Sequence, residues 1–250
     1  MSGLLCAGDV YIDRLTDAGE STGLRKIGNA TLLSLQETTE RVQRISKERE
    51  RYGQSLDSVE IKQPTQLAIN LDEIDSDNLA IALLGDSATV TQSSGSFVDT
   101  LVTVKIGAWV PIGKRAISAV TVEEDTDTTP DTYILGTDYE LDLRLGMIRA
   151  LDGGALENDQ VVRVSGTAAA QTVAKVSGAV KPTIRAKIFV DGKNLANGDE
   201  IYVTIDETTL TPTSAVDFLS SEFVTLEMTG APKTLPGKTS PYTVEIKSAA

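Results

Sequence analysis

With 36 aspartates and glutamates and not one histidine, this 250-residue chain has a narrow range of chemistry open to it. The missing imidazole removes every Ser-His-Asp and Cys-His nucleophile, the commonest general base and the usual zinc ligand sets at once. What remains is carboxylate chemistry. A paired-carboxylate glycosidase needs a cleft and usually aromatic contacts to sugar rings, and aromatic residues are only 4% of this chain. The densest acidic tract holds Glu123, Glu124, Asp125, Asp127 and Asp131, the oxygen-rich pattern that calcium prefers. Its spacing fails: a calcium loop starting at Asp125 needs glycine at its sixth position and glutamate at its twelfth, where Pro130 and Gly136 stand. A solvated loop is expected instead. The single cysteine, Cys6, excludes an internal disulfide and reads as a small apolar residue. Leu4-Leu5-Cys6 lacks the preceding basic segment of a lipidation signal. No catalysis, no cofactor and no metal are expected.

Charge points the same way. A net charge of −13 opposes wrapping nucleic acid, which is driven by basic residues that displace phosphate counterions. Basic residues nevertheless crowd into residues 36–53, where Arg41, Arg44, Lys47, Arg49 and Arg51 alternate with Glu40, Glu48 and Glu50. Connections in β proteins are usually about four to six residues, so a longer charged excursion is either functional or disordered. Its basic side chains suit a contact with acidic patches on another subunit; the competing reading is a solvated loop.

The elements that hold this arm are mainly β. Residues 9–15 alternate polar and apolar, residues 28–35 read as a strand before the arm, and residues 59–72 read as one long strand after it. In that long strand Val59, Ile61, Leu67, Ile69 and Leu71 share one face, and Glu60, Lys62, Gln66, Asn70 and Asp72 share the wet one. A short helix follows, with Asp75 or Ser76 as its cap, Asp77 in its first turn and Gly85 as its left-handed stop. Leu79, Ile81, Leu83 and Leu84 leave it almost no polar face, so it is expected to bury more than one side, against a sheet or a neighbouring subunit.

From residue 97 to 112 another β segment runs past Trp109, expected as a core or subunit contact. Short strands are expected at 117–122, 133–135, 139–143, 147–151 and 161–165, and residues 116–168 form a candidate inserted β-hairpin block in an otherwise single 1–250 domain. Residues 167–178 read equally as a connector or a strand. Strands are expected at 182–190, 200–206, 223–228 and 242–247, with turns at Asp191-Gly192 and Asn197-Gly198. The longest helical apolar run is only 79–84, far short of the roughly 20 residues that span a bilayer, and residues 1–10 lack a secretion signal.

The order of these features resembles the major tail tube proteins of long-tailed, siphovirus-like bacteriophages. The resemblance rests on Gly8-Asp9-Val10-Tyr11-Ile12-Asp13, Gly28-Asn29 and the charged excursion, followed by Asp77-Asn78-Leu79-Ala80-Ile81-Ala82-Leu83-Leu84-Gly85. Further along, Gly136-Thr137-Asp138-Tyr139-Glu140-Leu141-Asp142 with Gly146-Met147-Ile148, and the segments at 193–194 and 222–227, take the places of its central hairpins and closing strands. It implies a β-sandwich or partial barrel with one flanking helix and a long projecting loop or hairpin. It implies a non-enzymatic structural protein of the virion tail, assembled in the bacterial host cytoplasm as stacked hexameric rings that conduct DNA during ejection. The implied partners are further copies of the chain and tape-measure, tail-tip and tail-terminator proteins, with DNA passing through the lumen unbound. The arm, with Arg41, Arg44, Lys47, Glu48, Arg49, Glu50 and Arg51, would reach the next ring or neighbouring subunit. Glu60, Lys62, Gln66, Asn70 and Asp72 would line the lumen or, on the plainer reading, an outer surface. The competing function is a monomeric Ig-like adhesin or binding module, which leaves the arm and the apolar helix unexplained.

Overall fold

The computed structural model describes residues 3–126 and 129–248. In chain order its elements are β1 (Cys6–Arg14), β2 (Arg25–Lys26), β3 (Ala30–Gln36), β4 (Thr39–Ile45), β5 (Ser55–Lys62), β6 (Gln66–Leu71), α1 (Ser76–Ala82), β7 (Asp86–Gln92), β8 (Gly95–Thr103) and β9 (Val110–Pro111). These are followed by β10 (Ile117–Glu124), β11 (Tyr139–Asp142), β12 (Met147–Ala150), β13 (Val161–Ala168), β14 (Gln171–Ser177), β15 (Ile184–Asn194), β16 (Glu200–Pro212), β17 (Leu226–Pro232) and β18 (Tyr242–Lys247). The fold is mainly β, built of several antiparallel sheets, with one short helix among the described residues.

Two units share the chain. The first comprises Met1–Ala88 and Val176–Ala250, the second Thr89–Lys175. The 116–168 block falls inside the second unit. The β7–β14 pair carries the chain across the division, so the ambiguous 167–178 segment contains a strand.

In the first unit an eight-stranded sheet runs β2-β1-β15-β16-β17-β6-β3, and β18 also pairs with β16. Alternation decides which side is dry. Along β15 Ile184, Ala186 and Ile188 are buried, as are Leu67, Ile69 and Leu71 along β6. Their core, completed by Val10, Ile12, Ile27, Ile205, Leu210, Leu226 and Met228, receives α1 through Ile81 and Ala82. Truncating one of the buried isoleucine, leucine or methionine side chains to alanine costs about 2–5 kcal/mol. The expected turn at Asp191-Gly192 lies inside β15 instead, because Gly192 sits opposite Gly8 of β1 in the ladder and both residues continue the pairing.

The helix is shorter than its apolar run. Asp75 caps it by accepting a 2.6 Å bond from the Asn78 N–H. At the other end the Gly85 N–H reaches the Ala80 carbonyl at 2.7 Å and the Leu84 N–H reaches Ile81, so the left-handed position belongs to Leu84, with φ 49°. The expectation that Gly85 supplies the left-handed stop is therefore corrected. Gly85 is needed for space, because a Cβ there would lie 2.2 Å from the Ser177 carbonyl oxygen. Leu79, Leu83 and Leu84 are half-buried, and Ile81 is buried in the core of its own unit.

The second unit pairs β10-β13-β8 and β11-β12-β9 in two three-stranded sheets around Val102, Val104, Val122, Ile148, Val162 and Val164. Residues 133–135, expected as a strand, form no element beyond a single bridge from Leu135 to Tyr139. Asp138 explains why: its carboxylate accepts the Ile134 N–H at 2.7 Å and the Ala155 N–H at 2.8 Å, which ties this stretch into a turn. Those bonds hold the Asp138 carboxyl below its ordinary range. Trp109 is 42% exposed, and the Arg149 guanidinium carbon lies 4.8 Å from its ring centre while the same side chain pairs with Glu140.

Candidate functional site

Residues 39–62 are neither a loose arm nor a continuous strand. Strands β4 and β5 pair with each other and, among the described residues, with no other strand, as an antiparallel ribbon whose every strand residue is exposed. The long strand expected over 59–72 is broken at Gln63-Pro64-Thr65, which belong to neither β5 nor β6. Proline has no N–H for the ladder and a fixed φ, so pairing stops and the chain changes sheets.

The ribbon's root is pinned. Thr65 Oγ1 donates to a Glu37 carboxylate oxygen at 2.8 Å, the Gln63 N–H reaches the Thr38 carbonyl at 2.9 Å, and Gln63 Nε2 reaches Glu40 at 2.7 Å. Burial and a hydrogen bond to Glu37 hold the Tyr242 phenol above its ordinary pKa, which ties β18 to the same point. The tip is closed as well: Ser46, only 1% exposed, receives the Gly53 N–H on its carbonyl and gives its own N–H to Gln54.

One ribbon face carries the opposed pairs Glu40/Ile61, Val42/Val59 and Arg44/Asp57; the other carries Thr39/Lys62, Arg41/Glu60 and Gln43/Ser58. Opposite charges across a ladder are mildly stabilising, about 0.2–1 kcal/mol each relative to alanine pairs. Six basic and five acidic side chains lie between residues 39 and 62, so the ribbon is close to neutral on a strongly acidic chain. Among the described residues Arg41, Arg44, Lys47, Arg49 and Arg51 join no ion pair, although Arg41 donates to Ser58 Oγ at 3.3 Å. Glu48, Glu50 and Arg51 also stand in solvent.

The other predicted residues are dispersed. Glu60 and Lys62 belong to the ribbon, whereas Gln66 and Asn70 share the outer face of β6. Asp72 lies just beyond β6 and accepts both its bonds from Asn29 Nδ2, at 2.8 and 2.9 Å. The five therefore do not form one stripe. The outer surface around Gln66 is a shallow groove of about 470 Å³ lined by Ser34, Gln36, Thr209, Thr211 and Thr229, uncharged and hydroxyl-rich.

Sequence reasoning missed a loop. Phe223, Val224 and Thr225, expected to open a strand over 223–228, precede β17, which begins at Leu226. The strand's true phase is set by buried Leu226 and Met228. Between β16 and β17 the loop leaves Phe218, Leu219 and Phe223 at 72%, 94% and 99% exposure. The signal was present in three large apolar side chains spaced by Ser220 and Ser221, outside any period-two pattern.

No group of three or more His, Cys, Asp or Glu side chains that could hold a metal ion occurs among the described residues. Of the acidic tract, Asp127 and Thr128 lie outside those residues. Among the described residues no helix is long and apolar enough to cross a membrane. A comparison with curated proteins finds no match. A family model described as "Protein of unknown function UCP028589" matches residues 4–240, and the chain belongs to that family.

Proposed function

We propose that this protein is a structural subunit that polymerises as stacked hexameric rings into the tail tube of a long-tailed bacteriophage, a conduit through which DNA leaves the virion. The observation that carries the reading is the β4–β5 ribbon: a pinned hairpin whose strand residues are all exposed, with half-exposed Val42, Val59 and Ile61 on one face and five basic side chains without carboxylate partners among the described residues. An isolated two-stranded hairpin is marginal in water, so a ribbon of this length gains most of its stability from whatever it lies against. The resemblance in feature order supplies the identity of that support, a further copy of the chain in the next ring or beside it.

The acidic character of the chain suits the conduit. Duplex DNA carries one charge per roughly 1.7 Å of axis and slides past a surface that offers it no basic patch. In this reading Gln66 and Asn70 on the outer face of β6, with Asp72 at its end, are the lumen candidates, and Glu60 and Lys62 move with the ribbon to the contact between subunits. Leu79 on α1 and Leu83 at its C-terminal end, both half-buried, remain available to a neighbour.

Negative-stain electron microscopy and light scattering test the reading on purified protein, fresh and concentrated, beside a variant in which residues 40–61 are replaced by a short turn. Hollow tubes from the parent and folded monomers from the variant are expected. Tubes from both would remove the ribbon from the contact; a parent that stays monomeric at every concentration would count against the tube.

A further inference from the structure

A second apolar feature of the first unit lies away from the ribbon. Between β3 and β18 the sheet leaves a groove of about 400 Å³, lined by Cys6, Val10, Leu33, Leu35, Val203 and Val244, whose exposed lining is mostly apolar. The other end of β16 carries the exposed loop. We infer that Phe218 and Phe223 of one copy seat in the Leu33–Val244 groove of a second copy, making a head-to-tail contact that deepens the ring-and-tube reading and rests on it.

Three observations on the molecule lead there. The loop is built, not slack: the Thr213 N–H bonds the Glu227 carbonyl at 2.9 Å, the Glu227 N–H bonds Ser214 Oγ at 3.0 Å, and Val216 and Val224 pack on the core. Its tip is shaped by the Leu219 N–H on Asp217 at 2.9 Å and the Glu222 N–H on Ser220 at 3.0 Å, which turns Phe218, Leu219 and Phe223 outward together. The two phenylalanines alone offer about 300–500 Å² of apolar surface, a patch of the size that marks interaction sites on soluble proteins.

Volume and position fix the occupant. A cavity of roughly 150 Å³ accepts one benzene ring, so the groove has room for two. Ile201 and Val203 line it at the start of β16, and the loop leaves β16 after Pro212. About ten strand residues at roughly 3.3 Å each separate them, and Phe218 and Phe223, at 72% and 99% exposure, do not occupy the groove of their own copy. A knob at one end and its socket at the other end of one strand join copies heterologously, the arrangement that closes into rings or runs on as a stack.

The chain supplies its own probe, because Cys6 is its single cysteine and stands exposed in the groove. In Phe223→Cys, a short bis-maleimide should link Cys6 of one copy to position 223 of the next and give a ladder of covalent oligomers, which Cys6→Ser should abolish. Phe218→Ser with Phe223→Ser should leave the fold intact and raise the concentration needed for assembly at least tenfold. Parent tubes that form with no ladder from Phe223→Cys, and with an unchanged threshold in the serine variant, would overturn this contact and leave the proposed function standing. A parent that never assembles would overturn both.

Discussion

Val42 lies directly opposite Val59 across the ribbon, and Ile61 continues the same face toward the root, each about half exposed. An apolar strip held open to water on a pinned hairpin is cost without return until it is covered. Val59→Asp is expected to change the stability of the body by no more than about 0.5 kcal/mol, as for surface sites in general, and to abolish assembly. Thermal unfolding followed by circular dichroism, with tube counts on the same samples, checks both halves; normal tubes would remove this face from the contact.

The unpaired basic residues predict a salt effect. Screening shortens from about 8 Å at physiological ionic strength to about 3 Å at 1 M, so a contact using Arg44, Arg49 and Arg51 should weaken with added salt. Arg44→Glu with Arg49→Glu should assemble poorly at low salt and lose most of the parent's salt dependence. Light scattering across a salt series reads the difference.

Asp13 sets a pH limit. Burial raises its carboxyl pKa, but bonds from Ser21 Oγ, from the Thr22 N–H at 2.8 Å and the Gly23 N–H at 3.0 Å, and from the Thr22 hydroxyl outweigh it and leave the group below its ordinary value. A lowered folded-state pKa adds stability that is present above the unfolded value near 4 and is lost as pH falls through the folded one. Asp13→Ala leaves these donors without their acceptor and should cost about 1–3 kcal/mol at pH 7. The deficit relative to the parent should shrink below about pH 4, as measured by denaturant unfolding at several pH values; a deficit independent of pH would refute the assignment.

Gly85 tests the packing beneath α1. Gly85→Ala places a methyl 2.2 Å from the Ser177 carbonyl oxygen, a backbone atom that cannot rotate away. A loss of about 1–3 kcal/mol is expected, seen as a lower urea midpoint with an unchanged slope. Leu84→Gly relieves the left-handed strain but removes a side chain that packs on the core, so its net effect should be small.

The sequence made the buried strands legible and the exposed ones obscure, for a physical reason. Strands β1, β15 and β16 press one face on the core, and that face writes period-two alternation into Val10 and Ile12, or Ile184, Ala186 and Ile188. The β4–β5 ribbon buries neither face, so its residues carry no such record and read as an arm. The apolar phase running from Val59 to Leu71 masks the break at Pro64, because two strands in different sheets happen to share it. Asp191-Gly192 has the composition of a turn, yet pairing with Gly8 overrides local preference. Phe223 is apolar yet an odd number of residues from buried Leu226, so it falls on the opposite phase and stays in solvent.

Along β16 the first half, Glu200 to Ile205, pairs with β18, and the second half, Thr208 to Pro212, pairs with β17 on that same side. The sheet is thus a fork, and a fork has three tips where a simple sheet has two. Joining neighbours side by side into a closed circle consumes two tips per copy, one to the left and one to the right. In the proposed ring such a use of two edges would leave the third edge of every copy unpaired, a row of free N–H and C=O groups ready to template a further strand.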